Sequence, residues 1–219
     1  MLELLLPQRC VVCGRGGRQL CAACRDALAS LEPPLCERCG APTAWPVRRC
    51  RECAGRRLAF ASARAAVAYD AAARAFVAGW KERGLRGLAV EAAALVAERV
   101  PLPPGAALVA FVPPDRGRLL ERGHHPAERL ARGLAETWRL PCEPLLARRD
   151  GARQAGGGLA ERRRNVRGAF RAAARSPARL VLVDDVYTTG ATASAAASAL
   201  RAAGARRVDV VCFARTLRR

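Results

Sequence analysis

The spacing of apolar and polar positions along most of the chain predicts short strands and longer helices. Apolar runs at residues 63–69, 107–112, 142–146, 179–185 and 207–214 predict β-strands. Helical spacing predicts helices over 72–100, with a break near Gly84 and Gly87, and over 126–139, where Pro126 suits a first turn. The Ala-rich segment 190–203 predicts a further helix that stops at Gly204. Strands joined by helices indicate a parallel, mostly buried sheet.

The first 57 residues have another pattern, in which cysteines recur in pairs. Four Cys-x-x-Cys knuckles are formed by Cys10 and Cys13, Cys21 and Cys24, Cys36 and Cys39, and Cys50 and Cys53. Two knuckles supply the four thiolates of a tetrahedral zinc site, so the chain is expected to hold two structural zinc ions without an open coordination position. Successive pairing gives two zinc ribbons in a row, and pairing first with third gives an interleaved arrangement. The short spacing between Cys13 and Cys21 favours the successive one.

The two patterns divide the chain into two predicted domains. Residues 1–57 form a small Cys-rich double zinc ribbon, and residues 58–219 form the α/β domain. Cys142 and Cys212 stand alone in apolar segments and are expected to be buried small side chains. No apolar run reaches the roughly 18 residues of a membrane-spanning helix, and the start lacks a secretion signal. We therefore expect a cytoplasmic protein with no membrane span.

The charge balance is strongly basic. The formal net charge is +19, which eight thiolates on two zinc ions would lower to about +15. Most of the surplus follows residue 57, and such a field suits polyphosphorylated metabolites or nucleic acid. However, Lys81 is the only lysine in an Arg- and Ala-rich chain, so biased composition explains part of the charge. The basic charge does not by itself indicate nucleic-acid binding.

Residues 181–192 hold the strongest candidate site. They read Val-Leu-Val-Asp-Asp-Val-Tyr-Thr-Thr-Gly-Ala-Thr, which is a strand, an acidic pair, a Thr/Gly loop and a helix start. Asp184 and Asp185 can accept hydrogen bonds from sugar hydroxyls or hold a hydroxyl-bound Mg²⁺ ion. A helix N-terminus attracts phosphate, and Gly190 lets the backbone approach closely. The phosphate would be wrapped by Thr188, Thr189, Gly190, Ala191 and Thr192.

Two further segments contain arginines that are expected to contact the sugar phosphate. Residues 116–125 form a loop after Pro113 and Pro114, and residues 148–169 have Gly156, Gly157 and Gly158 at their centre without apolar periodicity. From residue 148 to residue 175 there are nine arginines and two acids. A connection of this length inside a compact domain is typical of a lid or binding loop.

Together these motifs resemble a known family. Residues 181–192 are similar to the phosphoribosyl-pyrophosphate (PRPP) loop of type I phosphoribosyltransferases. With the four knuckles, the chain resembles the ComF family of double-zinc-ribbon phosphoribosyltransferase-like proteins. Further motifs that support this resemblance follow one another in the order found in the family. They are Tyr69-Asp70, Lys81 near Gly84, Val112-Pro113, Arg122-Gly123, Gln154, Arg162 with Asn165, Gly168-Ala169-Phe170 and Ala214-Arg215.

The resemblance implies a fold, ligands and a role. The fold is a type I phosphoribosyltransferase fold, a parallel sheet flanked by helices with a flexible hood. The ligand is PRPP or a related phosphoribosyl compound with Mg²⁺, and the role is natural transformation, in which single-stranded DNA is handled in the cytoplasm. Asp184 and Asp185 would bind the ribose hydroxyls, and the segment from Thr188 to Thr192 the 5-phosphate. Arg116 and Arg122 would lie near pyrophosphate, and the hood would carry Arg148, Gln154, Arg162 and Asn165.

Three functional hypotheses stay open at this stage. The first is an active phosphoribosyltransferase of nucleotide metabolism whose acceptor the sequence does not name. The second is a binding module that keeps the PRPP site and holds single-stranded DNA through the Arg-rich segment, mainly electrostatically because aromatic residues make up only 5% of the chain. In the third, the ribbons dock a DNA-import helicase or another import protein.

One position departs from the family pattern. After Arg122-Gly123, where the family has Phe-Asn-Gln, this chain has His124-His125-Pro126. This change leaves the acceptor side of the site open. The histidines could act as acid/base groups or coordinate a metal. Solvent-exposed or capping histidines are the simpler interpretation, because adjacent loop residues seldom converge on one atom.

Overall fold

The computed structural model describes residues 8–115, 117, 120, 123–149 and 168–217. Its helices are α1 (Ala22–Asp26), α2 (Ala71–Lys81), α3 (Leu88–Arg99), α4 (Pro126–Trp138) and α5 (Ala191–Ala202). Its strands are β1 (Ser62–Ala68), β2 (Val109–Phe111), β3 (Cys142–Glu143), β4 (Leu146–Arg148), β5 (Phe170–Ala172), β6 (Arg179–Tyr187) and β7 (Arg207–Arg215). Among the described helices, none is long and apolar enough to cross a membrane.

Five of the described strands form one parallel sheet in the order β1-β7-β6-β2-β3. The side chains of β6 alternate between its two faces, as the period of a strand requires. Val181 and Val183 lie in one hydrophobic cluster with residues of α2, α3 and α4. Leu180 and Leu182 lie in a second cluster with residues of α5. The predicted parallel sheet flanked by helices is thereby confirmed.

The segment predicted as one strand over 142–146 is divided in two. β3 pairs with β2 in the main sheet, whereas β4 pairs with β5 in a separate antiparallel ribbon. Pro144 lies between them, and a proline has no N–H to continue a ladder. The prediction of a single strand was therefore wrong, and β5 was not predicted at all.

The cysteine-rich region packs on the sheet domain rather than standing apart from it. Cys10, Leu20 and Leu28 share the first hydrophobic cluster with Trp80 of α2. The second zinc ribbon, residues 36–53, contributes Cys36, Cys39 and Cys53 to the other cluster. The two ribbons thus cover opposite faces of the sheet. The division into domains 1–57 and 58–219 stays a prediction.

Candidate functional site

The acidic pair lies on β6 at the place where one of its neighbours ends. The N–H of Val112 donates to the carbonyl of Val183 at 3.0 Å, and the following Pro113 and Pro114 have no N–H to continue this ladder. On the other side, β6 keeps pairing with β7 as far as Tyr187. The strand therefore runs two residues beyond the predicted end at Asp185, and the two carboxylates lie beside an opening at the carboxyl edge of the sheet. Ligands of open parallel sheets bind at that edge.

Backbone and side-chain partners hold both carboxylates in place. Asp184 Oδ1 accepts from the N–H of Asp185 at 2.9 Å, and Asp185 Oδ1 accepts from the N–H of Val186 at 2.7 Å. The other oxygen of Asp185 lies 2.6 Å from Nζ of Lys81, at the end of α2. The side chains of this ion pair are 18% and 17% exposed, so a ligand can still reach it.

Burial changes the electrostatics of Asp184 and of the thiol beside it. Burial, and then the charge of Asp185, raise the pKa of Asp184 to about 7 against the opposing effects of Lys81 and Arg148. Cys212, the register partner of Asp184 on β7, is fully buried. Burial, followed by the two aspartates, raises the pKa of its thiol. Cys212 is thus the buried small side chain that the sequence predicts, whereas Cys142 is only half-buried.

The Thr/Gly loop leads directly from β6 into α5. Gly190 adopts the left-handed conformation with φ of 70° as the N-cap residue. The hydroxyl of Thr189 accepts from the N–H of Ala191 at 3.3 Å, and the hydroxyl of Thr216 donates to the carbonyl of Thr188 at 3.2 Å. The first N–H groups of a helix lack acceptors within the helix. The loop therefore places those of α5, including that of Thr192, at the same edge of the sheet as the two aspartates.

Only part of the predicted arginine set lies within the described residues. Arg148 lies on β4, where its guanidinium is 5.3 Å from the centroid of the Phe170 ring. Its charge lowers the pKa of Asp184, which places it on the side of the acidic pair. The remaining predicted residues are outside the described part of the chain: Arg116, Arg122, Gln154, Arg162 and Asn165.

The two adjacent histidines turn inward. Nε2 of His124 lies 2.8 Å from the carbonyl of Trp80, and Nε2 of His125 lies 3.0 Å from the carbonyl of Val112. Burial lowers the pKa of His125, although Glu128 opposes this. The interpretation as exposed or capping side chains was wrong: His124 is buried, and the His125 side chain makes no capping hydrogen bond to α4. Their separate backbone partners fit a role in anchoring the chain.

Eight of the described cysteines form two groups of four in the successive arrangement, and the sulfurs of each group lie within 4.8 Å of one another. One group comprises Cys10, Cys13, Cys21 and Cys24, and the other comprises Cys36, Cys39, Cys50 and Cys53. In the first group the sulfurs of Cys13 and Cys21 lie 3.7 Å apart, and in the second group three pairs of sulfurs lie 3.5, 3.7 and 3.9 Å apart. A Zn–S distance of about 2.3 Å in a tetrahedron requires sulfurs roughly 3.8 Å apart. Both groups fit zinc.

One thiol in each group is prepared for metal binding, whereas burial raises the pKa of Cys24 to about 12 and that of Cys53 to about 11. Although burial raises the pKa of Cys10, N–H groups of Cys13, Cys21 and Val12 lower it to about 6. The pKa of Cys36 is lowered in the same way to about 7. A knuckle whose amides stabilise thiolate is prepared for a divalent cation. The chain therefore has two zinc-binding sites of four cysteines each.

Two contacts near the site were not predicted. The first is the Lys81–Asp185 ion pair. The only feature of the sequence that pointed to it is that Lys81 is the single lysine of an Arg-rich chain. The second joins Tyr187 to Arg215 at the end of β7, with the guanidinium 4.6 Å from the ring centroid. A strand-ending arginine carries no signal of burial in the sequence, because arginine is usually exposed.

Comparisons with known proteins give one family model and several solved structures. A family model described as a double zinc ribbon domain matches residues 1–54. No curated protein matches the sequence. Among solved structures, the chain is similar to the glutamine phosphoribosylpyrophosphate amidotransferase from B. subtilis, with 24% identity and a TM-score of 0.41 over 57% of this chain and 25% of that one. The matched part is thus about a quarter of that relative.

Two smaller relatives have lower scores. A protein from Thermus thermophilus has 22% identity and a TM-score of 0.37 over 60% of this chain and 84% of that one. The purine phosphoribosyltransferase from Pyrococcus horikoshii has 20% identity and a TM-score of 0.29, over 62% of this chain and 74% of that one.

Proposed function

We propose that the carboxyl edge of the sheet binds PRPP or a related phosphoribosyl ligand. The observation that carries this proposal is the succession of Asp184, Asp185 and the Thr/Gly loop at the start of α5. The two carboxylates would accept hydrogen bonds from the 2- and 3-hydroxyls of the ribose. The 5-phosphate would bind the N–H groups at the start of α5, where the helix dipole favours negative charge.

Lys81 gives the acidic pair a further property. Its ammonium group neutralises part of the charge of the two adjacent carboxylates, which would otherwise repel an anionic ligand. Arg148 adds a second positive charge on the side of Asp184. The pyrophosphate group would bind together with Mg²⁺, and this ion would neutralise part of the pyrophosphate charge. Carboxylate and phosphate oxygens are suitable ligands for Mg²⁺.

We further propose that the protein is a ComF-family protein that handles single-stranded DNA in the cytoplasm during natural transformation. The support is the order of sequence motifs together with the basic charge of the chain. A reducing cytoplasm would keep the eight ribbon cysteines available as zinc ligands. A DNA-import helicase is the candidate protein partner.

Calorimetry with PRPP and MgCl₂ tests the ligand. We expect a binding event that is weakened at least tenfold in the variants Asp184→Asn and Asp185→Asn. The matched control is Asp26→Asn, an exposed carboxylate at the end of α1. Equal binding by all of these variants would contradict the proposal. Addition of nitrogenous bases and measurement of pyrophosphate release would distinguish an active phosphoribosyltransferase, which turns over PRPP, from a binding module, which does not.

A separate titration tests the DNA. A fluorescent single-stranded oligonucleotide is added at two salt concentrations, with and without PRPP. Phosphate contacts release counterions, so binding that is mainly electrostatic should weaken steeply with salt. Affinity that does not change with salt would contradict electrostatic binding of the strand.

A further inference from the structure

A cavity lies at the edge of the sheet opposite the acidic pair. It has a volume of about 810 Å³ and lies between the second zinc ribbon, the segment before β2, and the amino ends of β1 and β7. Its arginines are Arg38, Arg48, Arg49, Arg64 and Arg207. The strands of the sheet are parallel, so this edge is remote from the carboxyl ends where Asp184 and Asp185 lie.

The cavity is enriched in arginine even for this chain. Five of its 13 lining residues are arginines, whereas the whole chain has 38 lysines and arginines in 219 residues. The share at the cavity is more than twice the average. Biased composition alone therefore does not account for it.

The carboxylates that line the cavity do not neutralise these charges. Asp209 accepts from Nε and Nη2 of Arg207 at 2.7 and 2.9 Å, and from the hydroxyl of Ser62 at 2.7 Å. Its hydrogen-bonding capacity is thus largely used by one arginine. The other lining carboxylate belongs to Glu37, which leaves four arginines for one acid.

Two of the remaining arginines are held by backbone carbonyls. Nη2 of Arg38 donates to the carbonyl of Leu58 at 2.5 Å, and Nη1 of Arg64 donates to the carbonyl of Glu37 at 3.1 Å. Carbonyl groups orient a guanidinium without cancelling its charge.

The second zinc ribbon supplies part of the counter-charge. Four thiolates and one zinc ion carry a net charge of about −2. Even with this charge and both carboxylates, the five arginines leave the cavity positive. Arg48 and Arg49 are exposed, and Arg49 makes long hydrogen bonds of 3.4 Å to the carbonyls of Ala54 and Arg56, which a ligand can replace.

We propose that this cavity binds a compact oligophosphate, namely two or three linked phosphate groups, free or attached to a small nucleotide. Guanidinium groups bind phosphate oxygens in pairs and at fixed geometry. The volume is in the range of roughly 300–1,000 Å³ that is typical of small-ligand sites. A ligand there would contact the second ribbon through Arg48 and Arg49 and the sheet through Arg64, so it would join the two parts of the chain. This site is independent of the proposed PRPP site.

Calorimetry of the zinc-loaded full chain with tripolyphosphate tests the proposal. The decisive variant is Arg48→Glu with Arg49→Glu, since both side chains are exposed and their replacement should not disturb folding. The matched control is Arg51→Glu with Arg57→Glu, two exposed arginines that do not line the cavity. Both variants change the net charge equally. We expect the Arg48→Glu, Arg49→Glu variant to weaken a tripolyphosphate binding event at least tenfold and the control variant to weaken it less than threefold. Equal weakening would overturn the proposal.

Two further arms separate the ligand classes and the two sites. ATP in place of tripolyphosphate should show the same dependence on Arg48 and Arg49. If neither binds, and only a single-stranded oligonucleotide depends on these arginines, the compact ligand is excluded. PRPP binding that is unchanged in the Arg48→Glu, Arg49→Glu variant would show that the two sites are separate, whereas its parallel loss would overturn their independence.

Discussion

Arg215 and Tyr187 are in contact across the ends of β7 and β6, with the guanidinium 4.6 Å from the ring centroid. Arg215 is only 1% exposed. It donates to the carbonyl of Cys39 at 2.5 Å and to the carboxylate of Glu52 at 2.9 Å. One buried side chain therefore contacts both the second zinc ribbon and the residue that precedes the Thr/Gly loop. The ribbon thereby supports the loop through a single cation.

Replacement of this cation should be costly. Arg215→Met would leave Glu52 without its partner and the Cys39 carbonyl without its donor, so we expect a loss of about 3 kcal/mol in the free energy of unfolding. The control is Arg25→Met, which breaks an ion pair with Glu98 whose side chains are 30% and 54% exposed; there we expect less than about 1 kcal/mol. Denaturant unfolding with saturating zinc measures both. Similar losses in the two variants would contradict the role of Arg215.

Gly190 should tolerate no side chain. Its φ is 70°, and a Cβ would lie 2.3 Å from the Tyr187 hydroxyl. Gly84 is a matched control because its φ is 67° and a Cβ there would meet nothing within 4 Å. Gly84→Ala should cost about 1–2 kcal/mol from backbone strain alone. Gly190→Ala should cost clearly more in denaturant unfolding, and equal costs would show that the contact with Tyr187 is unimportant.

The sequence predicted most of the fold because burial on two faces gives strands and helices a strong periodic pattern. It also predicted which residues follow β6, since a strand, an acidic pair and a Thr/Gly loop are contiguous. It predicted 142–146 wrongly as a single strand because the run continues through Pro144, and only the hydrogen-bond ladder decides where a strand ends. The partners of Asp185 and Tyr187 come from Lys81 and Arg215, which are distant in sequence, and no local pattern predicts such contacts.

The raised pKa of Asp184 predicts a pH dependence of stability in the ligand-free protein. The native state keeps a proton on Asp184 up to about pH 7, whereas the unfolded chain releases it near the ordinary value of 3.8. This group's stabilising contribution is therefore fully present below pH 3.8 and is lost as the pH rises through about 7. Asp184→Asn should remove this decline, which is at most about 1.4 kcal/mol per pH unit. Unfolding of both proteins between pH 5.5 and 8 measures it, and parallel curves would contradict it.

Lys81 should lower the pKa of Asp184. Its ammonium group lowers the pKa of Asp184 and pairs with Asp185 at 2.6 Å. Lys81→Met should therefore raise the pKa of Asp184 above about 7, whereas Lys81→Arg keeps the charge and should change it less. Carboxyl ¹³C NMR titration of the three proteins reports this pKa directly. A pKa that is the same in all three would show that the ion pair does not act on Asp184.

The successive arrangement of the cysteines makes a prediction about zinc content. Cys13 and Cys21 belong to one group, and Cys39 belongs to the other. The double variant Cys13→Ala, Cys21→Ala should therefore lose one zinc ion and keep the other, because both changes damage the same site. The double variant Cys13→Ala, Cys39→Ala should lose both. An interleaved arrangement would reverse these results, since Cys13 and Cys21 would then bind different ions and Cys13 and Cys39 the same one. Metal analysis of the purified proteins, with Cys142→Ala as a control that keeps both ions, decides between the two arrangements.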